Sequence, residues 1–292
     1  LNDWLEGHFK LSQGAGDDST LLNQGLTATW RKTDNITYTF DLEHARALEV
    51  GEHKLTSVAL GAKWQNLDES WVGDADLEAT FEPRGETYYA NLGLAGKISE
   101  DLSVLGRVRA AYDTRDGADI QRLRSRIGLA YRPLDDPRLE VLAWYENRIE
   151  QKHGRSVTHL WSVDASYEAD SNLRLNGKYA GQHQSYTSEI GTGGDGLTQL
   201  IQAGALYEFG DDRFQIGANA AYLWDDAGNS ARGLGAEIGF VPTKGTQIGL
   251  GYHHSTGQVK GQSALYQDGF YLRLNLLLDN SLWGKLDGFL GN

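Results

Sequence analysis

The sequence predicts an all-β protein, a transmembrane up-and-down antiparallel β-barrel of about sixteen strands. Hydrophobicity alternates with period two almost everywhere, one parity of each strand is apolar while the charges sit on the other, and glycine and tyrosine are abundant (36 and 14) against only 4 prolines. Alternation of period two places successive side chains on opposite faces, so it marks strands exposed to different surroundings on each side.

In chain order the alternating segments run 3–13, 21–32, 35–46, 54–65, 71–82, 87–98, 101–113, 120–132, 138–149, 157–169, 172–184, 197–209, 213–225, 231–241, 245–255 and 266–279. The prolines Pro83, Pro133, Pro137 and Pro242 fall at segment ends or between them, as they must if proline cannot donate to a ladder. Apolar parities include Leu26, Ala28 and Trp30; Val58, Leu60, Ala62 and Trp64; Phe214, Ile216, Ala218 and Ala220; and Leu272, Leu274, Leu276 and Leu278. Segments of about 10 to 13 residues suit a tilted bilayer crossing, which takes about 9 to 11, better than an ordinary strand of about 5 or 6.

Tight turns follow even-numbered segments (KTDN, SED, PLDDP, ADSN, GDD, PTKG), and looser links such as QGAGDDST, RDGAD and SYTSEIGTGGDG follow odd ones. Outer-membrane barrels have short periplasmic turns and longer external loops, so the even turns are expected to be periplasmic. An aromatic girdle is expected beside them from Trp30, Trp64, Tyr131, Tyr167, Tyr207, Phe209 and Phe240. Residues 1–279 would form the barrel and 280–292 a short C-terminal extension.

Composition closes other routes. The net charge of -13 disfavours nucleic acid, because phosphate binding needs a basic face. The absence of cysteine removes disulfides and thiolate chemistry. No apolar run reaches the roughly 18 residues of a membrane helix, and LNDWLEGHFK has no signal-peptide pattern, so an exported protein is expected here as a mature or excised chain. The mean hydropathy of -0.48 is compatible with a barrel whose interior is polar.

The segments RLRSRIGLAYRPLDDPRLEVLAWYENR, Arg122 to Arg148, and YQDGFYLRLNLLLDNSLW, Tyr266 to Trp283, resemble the C-terminal outer-membrane barrel domains of large, repeat-containing bacterial surface proteins. That family shows a GLAYRP-turn-aspartate-arginine pattern and a closing GFYLRL strand. A weaker resemblance, of architecture only, is to exopolysaccharide-export barrels. The resemblance implies the fold, integral placement in the bacterial outer membrane, and anchoring or export more than catalysis.

The polar parity carries the candidate site. Asp41, Glu43, Asp74, Asp76, Glu78 and Glu82 form an expected pore-lining acidic arc. Arg107, Arg109, Arg122, Arg124 and Arg126 form a basic arc, with Arg174 and Lys178 further round. A hairpin would set two arginine rows side by side, which is unfavourable without compensation, and Glu140 and Glu146 are placed to supply it. Eight histidines, His8, His44, His53, His153, His159, His183, His253 and His254, lie mostly near segment ends. His253 and His254 would point to opposite faces and could not share a metal. No hydrolase or phosphate-loop motif occurs, so no enzyme, cofactor or metal is expected.

Three functions remain. The first is the translocation or anchoring barrel of a larger surface or export protein, a wide aqueous channel whose partners are outer-membrane lipid and a polymer, polypeptide or plug segment in the lumen. The second is a free-standing diffusion porin for small solutes, anions in particular. The third is a hydrolase sited at the rim.

Overall fold

A computed structural model of the protein describes residues 5–13, 20–47, 54–117, 119–243, 246–259 and 268–276. Its strands are β1 (Leu5–Gln13), β2 (Thr20–Thr33), β3 (Ile36–Ala47), β4 (Lys54–Gln65), β5 (Trp71–Glu82), β6 (Gly85–Lys97), β7 (Leu102–Asp113) and β8 (Ile120–Tyr131). They continue as β9 (Leu139–Gln151), β10 (Gly154–Glu168), β11 (Leu173–Ser188), β12 (Gly193–Phe209), β13 (Phe214–Asp225), β14 (Ser230–Thr243), β15 (Thr246–Gly257) and β16 (Gly269–Leu276). The sixteen strands follow one another in chain order in one sheet. The described residues divide into two compact units, the first holding β1 to β8 and the second β13 to β16. Expectations for residues 277–292, including Leu278, Trp283 and the C-terminal extension, lie outside the described residues, as does His53.

The two faces of the sheet have inverted burial. On the apolar parity Leu60 is 53% exposed and Leu92 59%, and Leu77, Ile127, Ile216, Leu234 and Leu272 are likewise exposed. On the polar parity Glu146 and Ser162 are 1% exposed and Asn91 7%. An exposed apolar face and a buried polar one are the informative exceptions to ordinary globular burial. A continuous face of bare leucine, isoleucine and aromatic side chains is stable against hydrocarbon, not water.

Aromatic rings bound this face at both ends. Beside the tight turns Trp30 stacks on Tyr38 at 5.4 Å, and Phe214 lies between Phe209 and Phe240 at 5.6 and 5.3 Å. A second row, which the sequence reading did not anticipate, stands at the opposite end: Phe81, Tyr88 and Tyr112 in contact at 6.3 and 6.4 Å, and Tyr222 with Trp224 at 5.3 Å. Trp71 and Phe81 in β5, like Phe214 and Trp224 in β13, are ten residues apart. That is about 33 Å of strand, or about 25 Å of membrane at the usual tilt of about 40°, matching the apolar band of outer-membrane barrels.

The connections depart from expectation. Residues 185–196, SYTSEIGTGGDG, are expected to be a loose link, yet β11 and β12 extend to Ser188 and Gly193 and leave only 189–192. At the same end 83–84 and 152–153 are shorter still and 226–229 is equally short, and the described residues of 114–119 contain a single turn of 3-10 helix, Arg115–Gly117. At the opposite end the link 132–138 is longer than any of these, so the described connections do not show the asymmetry expected from the sequence. The reason is local: the polar run SYTSEIGTGGDG still alternates and pairs, closing on Gly191 at φ 80° with Ser188 and Thr192 bonded across the turn.

The tight turns are built from short acidic side chains. Asp170 Oδ1 accepts from the backbone N–H of Asn172 and Leu173, both at 2.8 Å. Asp211 and Asp212 adopt φ of 56° and 61°, the left-handed pair that a tight hairpin turn needs. In the 132–138 link the Arg138 guanidinium grips Asp136 at 2.7 and 3.0 Å, and this bond, with one from the Arg138 backbone, holds the carboxyl below its ordinary value.

If the apolar face contacts hydrocarbon, Leu92→Arg should cost about 2–4 kcal/mol in lipid, whereas an exposed site in water would change by about 0.5 kcal/mol or less. Urea unfolding in phospholipid vesicles, compared with the conservative Leu92→Ala, measures the difference.

Candidate functional site

The polar face of β5 to β8 is organised in straight rows set by register. Val72 pairs with Ala95, Ala95 with Leu105 and Leu105 with Gly128. The next row is Asp74, Gly93, Arg107 and Arg126; the next Asp76, Asn91, Arg109 and Arg124; the next Glu78, Tyr89, Ala111 and Arg122. The 114–119 connection closes the β7–β8 hairpin, so the two arginine rows do stand directly opposite each other.

Like charges at that spacing repel, and carboxylates from both sides separate them. Glu146, on β9, receives Arg124 Nε at 2.9 Å, lies 4.0 Å from Arg126 Nε, and accepts a short bond from Arg148. Arg122 pairs with Glu150 at 3.0 Å and Arg107 with Asp74 at 3.2 Å. The second of these spans two strands, and it is possible because Gly93 lies between. A Cβ on Gly93 would stand 2.3 Å from Asp74 Oδ1, so only glycine leaves space for the carboxylate to lean toward the arginine. Beyond this region Arg115 bridges Glu82 and Asp113 at 3.5 and 2.7 Å.

The remaining candidates are also tied locally. Asp41 accepts from Thr27 at 2.6 Å, and Glu78 from Ser57 at 2.9 Å and Thr80 at 3.2 Å. Asp74 and Asp76 both accept from Asn91 Nδ2, at 2.7 and 2.9 Å. Glu43 lies on the same parity and row spacing as Asp41. In the second unit Arg174 pairs with Glu168 at 3.0 Å and Lys178 with Asp164 at 2.9 Å. The two arcs read from the sequence meet directly in one pair, Asp74 with Arg107; Arg122, Arg124 and Arg126 pair instead with Glu150 and Glu146 of β9.

Beside the charged rows is a feature the sequence reading passed over. Val72, Leu105 and Leu142 are on the polar parity yet 46, 45 and 54% exposed, and Arg126 lies over the Trp144 ring at 4.4 Å. They line a recess of about 640 Å³ next to the tight turns. The alternation of Leu142, Trp144 and Glu146 along β9 was the available signal, but both parities of β9 are apolar at that end, which hid which one faced inward.

Of the girdle candidates Trp30, Trp64, Tyr131, Tyr207 and Phe240 are exposed on the apolar face. Phe209 stacks between Tyr207 and Phe214, and Tyr167 lies under Arg138 at 5.3 Å. Apart from His159 and His183, whose rings stack at 6.1 Å, the described histidines do not converge. His253 stacks on Tyr271 at 4.5 Å while His254 faces Asp268 at 3.7 Å on the other side of the strand. His44 bonds Thr56, His153 meets Glu189, and His159 contacts Tyr145, Asn147 and the ring of His183, which meets Asp195. The side chain of His8 is outside the described set. Among the described residues no three metal-capable side chains come together.

A sheet with a membrane-height apolar face, two aromatic borders and a charge-paired opposite face that holds its buried polar side chains belongs to the class of integral outer-membrane β-barrels. No family model matches the chain and no curated protein does. Among solved structures it is similar to an anion-selective porin from Comamonas acidovorans (13% identity, 91% of this chain and 94% of that one, TM-score 0.46). It is also similar to a bacterial polysaccharide outer membrane secretin (9%, 93% and 93%, 0.45) and to OmpT, an outer membrane protein of Vibrio cholerae (13%, 78% and 87%, 0.37).

Glu146→Gln leaves three guanidinium groups around a neutral amide. Their partial exposure, 42 to 49%, reduces the usual penalty for breaking a buried pair, so a loss of about 1–3 kcal/mol is expected. Glu150→Gln, in a pair half exposed on both sides, should cost about 0–1 kcal/mol. Equal losses in urea unfolding would remove Glu146 from its central role.

Proposed function

We propose that this chain is the membrane barrel of a larger surface or export protein, a wide aqueous channel whose lumen passes or holds a polymer or polypeptide. The observation that carries this reading is the apolar recess on the polar face. The row Val72, Ala95, Leu105 and Gly128 adjoins Leu142 and Trp144. A pore for small hydrated solutes gains nothing from bare valine, leucine and tryptophan on its wall. A chain that is threaded or held gains contact area from them.

Two further features fit. The described connections at the end opposite the tight turns are short, so none of them supplies a long loop to narrow the lumen. Five of the six guanidinium groups on β7 to β9 touch a carboxylate, three of them sharing Glu146, which partly offsets the transverse field that a charge-sorting porin would use. Outer-membrane lipid is the partner of the apolar face.

The test is single-channel recording in planar bilayers, with an unstructured polypeptide or a linear oligosaccharide added on the tight-turn side. Reversible block is expected, with residence times shortened severalfold by Leu105→Ser or Trp144→Ser. A large conductance indifferent to every such polymer, together with free passage of small solutes, is the behaviour of a diffusion porin and overturns the reading.

A further inference from the structure

Across β5 to β8 two neighbouring rows have the same plan and one difference. In one, Asp74 and Arg107 meet across Gly93 at 3.2 Å. In the next, Asp76 and Arg109 are separated by Asn91. The amide fills the space that glycine leaves open, and its Nδ2 donates to Asp76 at 2.9 Å and to Asp74 at 2.7 Å. Asn91 therefore occupies the acids that Arg109 would otherwise reach.

Among the described arginines of β7 to β9, Arg109 is consequently the one without an acid. It makes no ion pair or hydrogen bond among the described residues, and its Nε, like that of Arg107, is buried without an acceptor. Its directly opposed neighbour is Arg124, whose own charge is taken by Glu146, an acid shared with Arg126 and Arg148. A half-buried guanidinium is always charged and offers five donors in a planar fork suited to carboxylate and phosphate. Left facing a second cation with no acceptor, it is unfavourable until an anion arrives.

We infer that Arg109, flanked by Arg107 and Arg124 and shielded from Asp76 by Asn91, is an oxyanion-binding site on the channel wall. Its ligand is a carboxylate or phosphate group, whether free or carried on a longer chain. The inference rests on register and pairing, and it stands whether the lumen takes polymers or small solutes. Glycine in place of asparagine at residue 91 would close the row into a second internal pair. The choice of asparagine keeps one cation available.

The experiment is titration calorimetry of the full chain in detergent micelles at low salt with inorganic tripolyphosphate, and separately with an oligoglutamate. Binding of either probe is expected, at least tenfold weaker in Arg109→Gln, a few-fold weaker in Arg109→Lys, and unchanged in Arg174→Gln, whose arginine pairs with Glu168 in the other unit. Asn91→Gly should also weaken binding tenfold, because Arg109 then reaches Asp76. Folding of each variant is checked by heat-modifiable gel mobility, and if Arg109→Gln does not fold, the lysine and Asn91 variants decide. Response to tripolyphosphate alone assigns the site to small phosphates, and response to both assigns it to oxyanions generally. No binding by the wild-type chain, equal binding by Arg109→Gln, equal loss in Arg174→Gln, or undiminished binding in Asn91→Gly overturns the inference.

Discussion

Hydrocarbon offers no partner for a peptide group, and every other feature of this protein follows from that constraint. A strand that crosses a membrane must find all its N–H and C=O partners on neighbouring strands. The sheet pairs each strand with its sequence neighbours from β1 to β16, and the described connections are of a few residues that leave little backbone outside the ladder. Once the backbone is committed in this way, one side-chain parity must face lipid and the other must not. Composition then sorts itself: leucine, isoleucine and aromatic rings on one side, and hydroxyls, amides and charges on the other.

The charged face creates a second problem. Placing arginines at Arg107, Arg109, Arg122, Arg124 and Arg126 on adjacent strands puts like charges opposite each other. Glu146 offsets most of that cost from one side and Asp74 from the other, the latter only because Gly93 lets a side chain lie flat across the strand between them. The resulting wall is polar, and most of its guanidinium groups touch a carboxylate, three of them the same one, Glu146. Arg109, which touches none among the described residues, and the recess around Leu105 and Trp144 are the places where a passing or resident molecule would be felt.

How much of this was legible beforehand can be judged from particular residues. The faces were, because period two assigns each side chain without knowledge of its neighbours: Leu60 and Asp76 are on the sides their parity implies. The strand ends were less so. Polar residues such as Ser185, Tyr186, Thr187 and Asp195 read as a loop by composition, yet they continue the β11–β12 ladder, because a backbone bond depends little on side-chain polarity. The second aromatic row was missed since Phe81, Tyr88 and Tyr112 come from three strands and form a border only when paired.

By itself the sequence determined the all-β class, the order and approximate number of strands, and the division of residues into lipid-facing and polar sets, since these are properties of single strands. Register decided the rest. Whether Arg107 meets an acid and Arg109 does not turns on Gly93 and Asn91, two residues on a different strand whose positions opposite the arginines no local pattern reveals. A salt bridge depends on distance across strands, and that distance is set only when the strands are aligned.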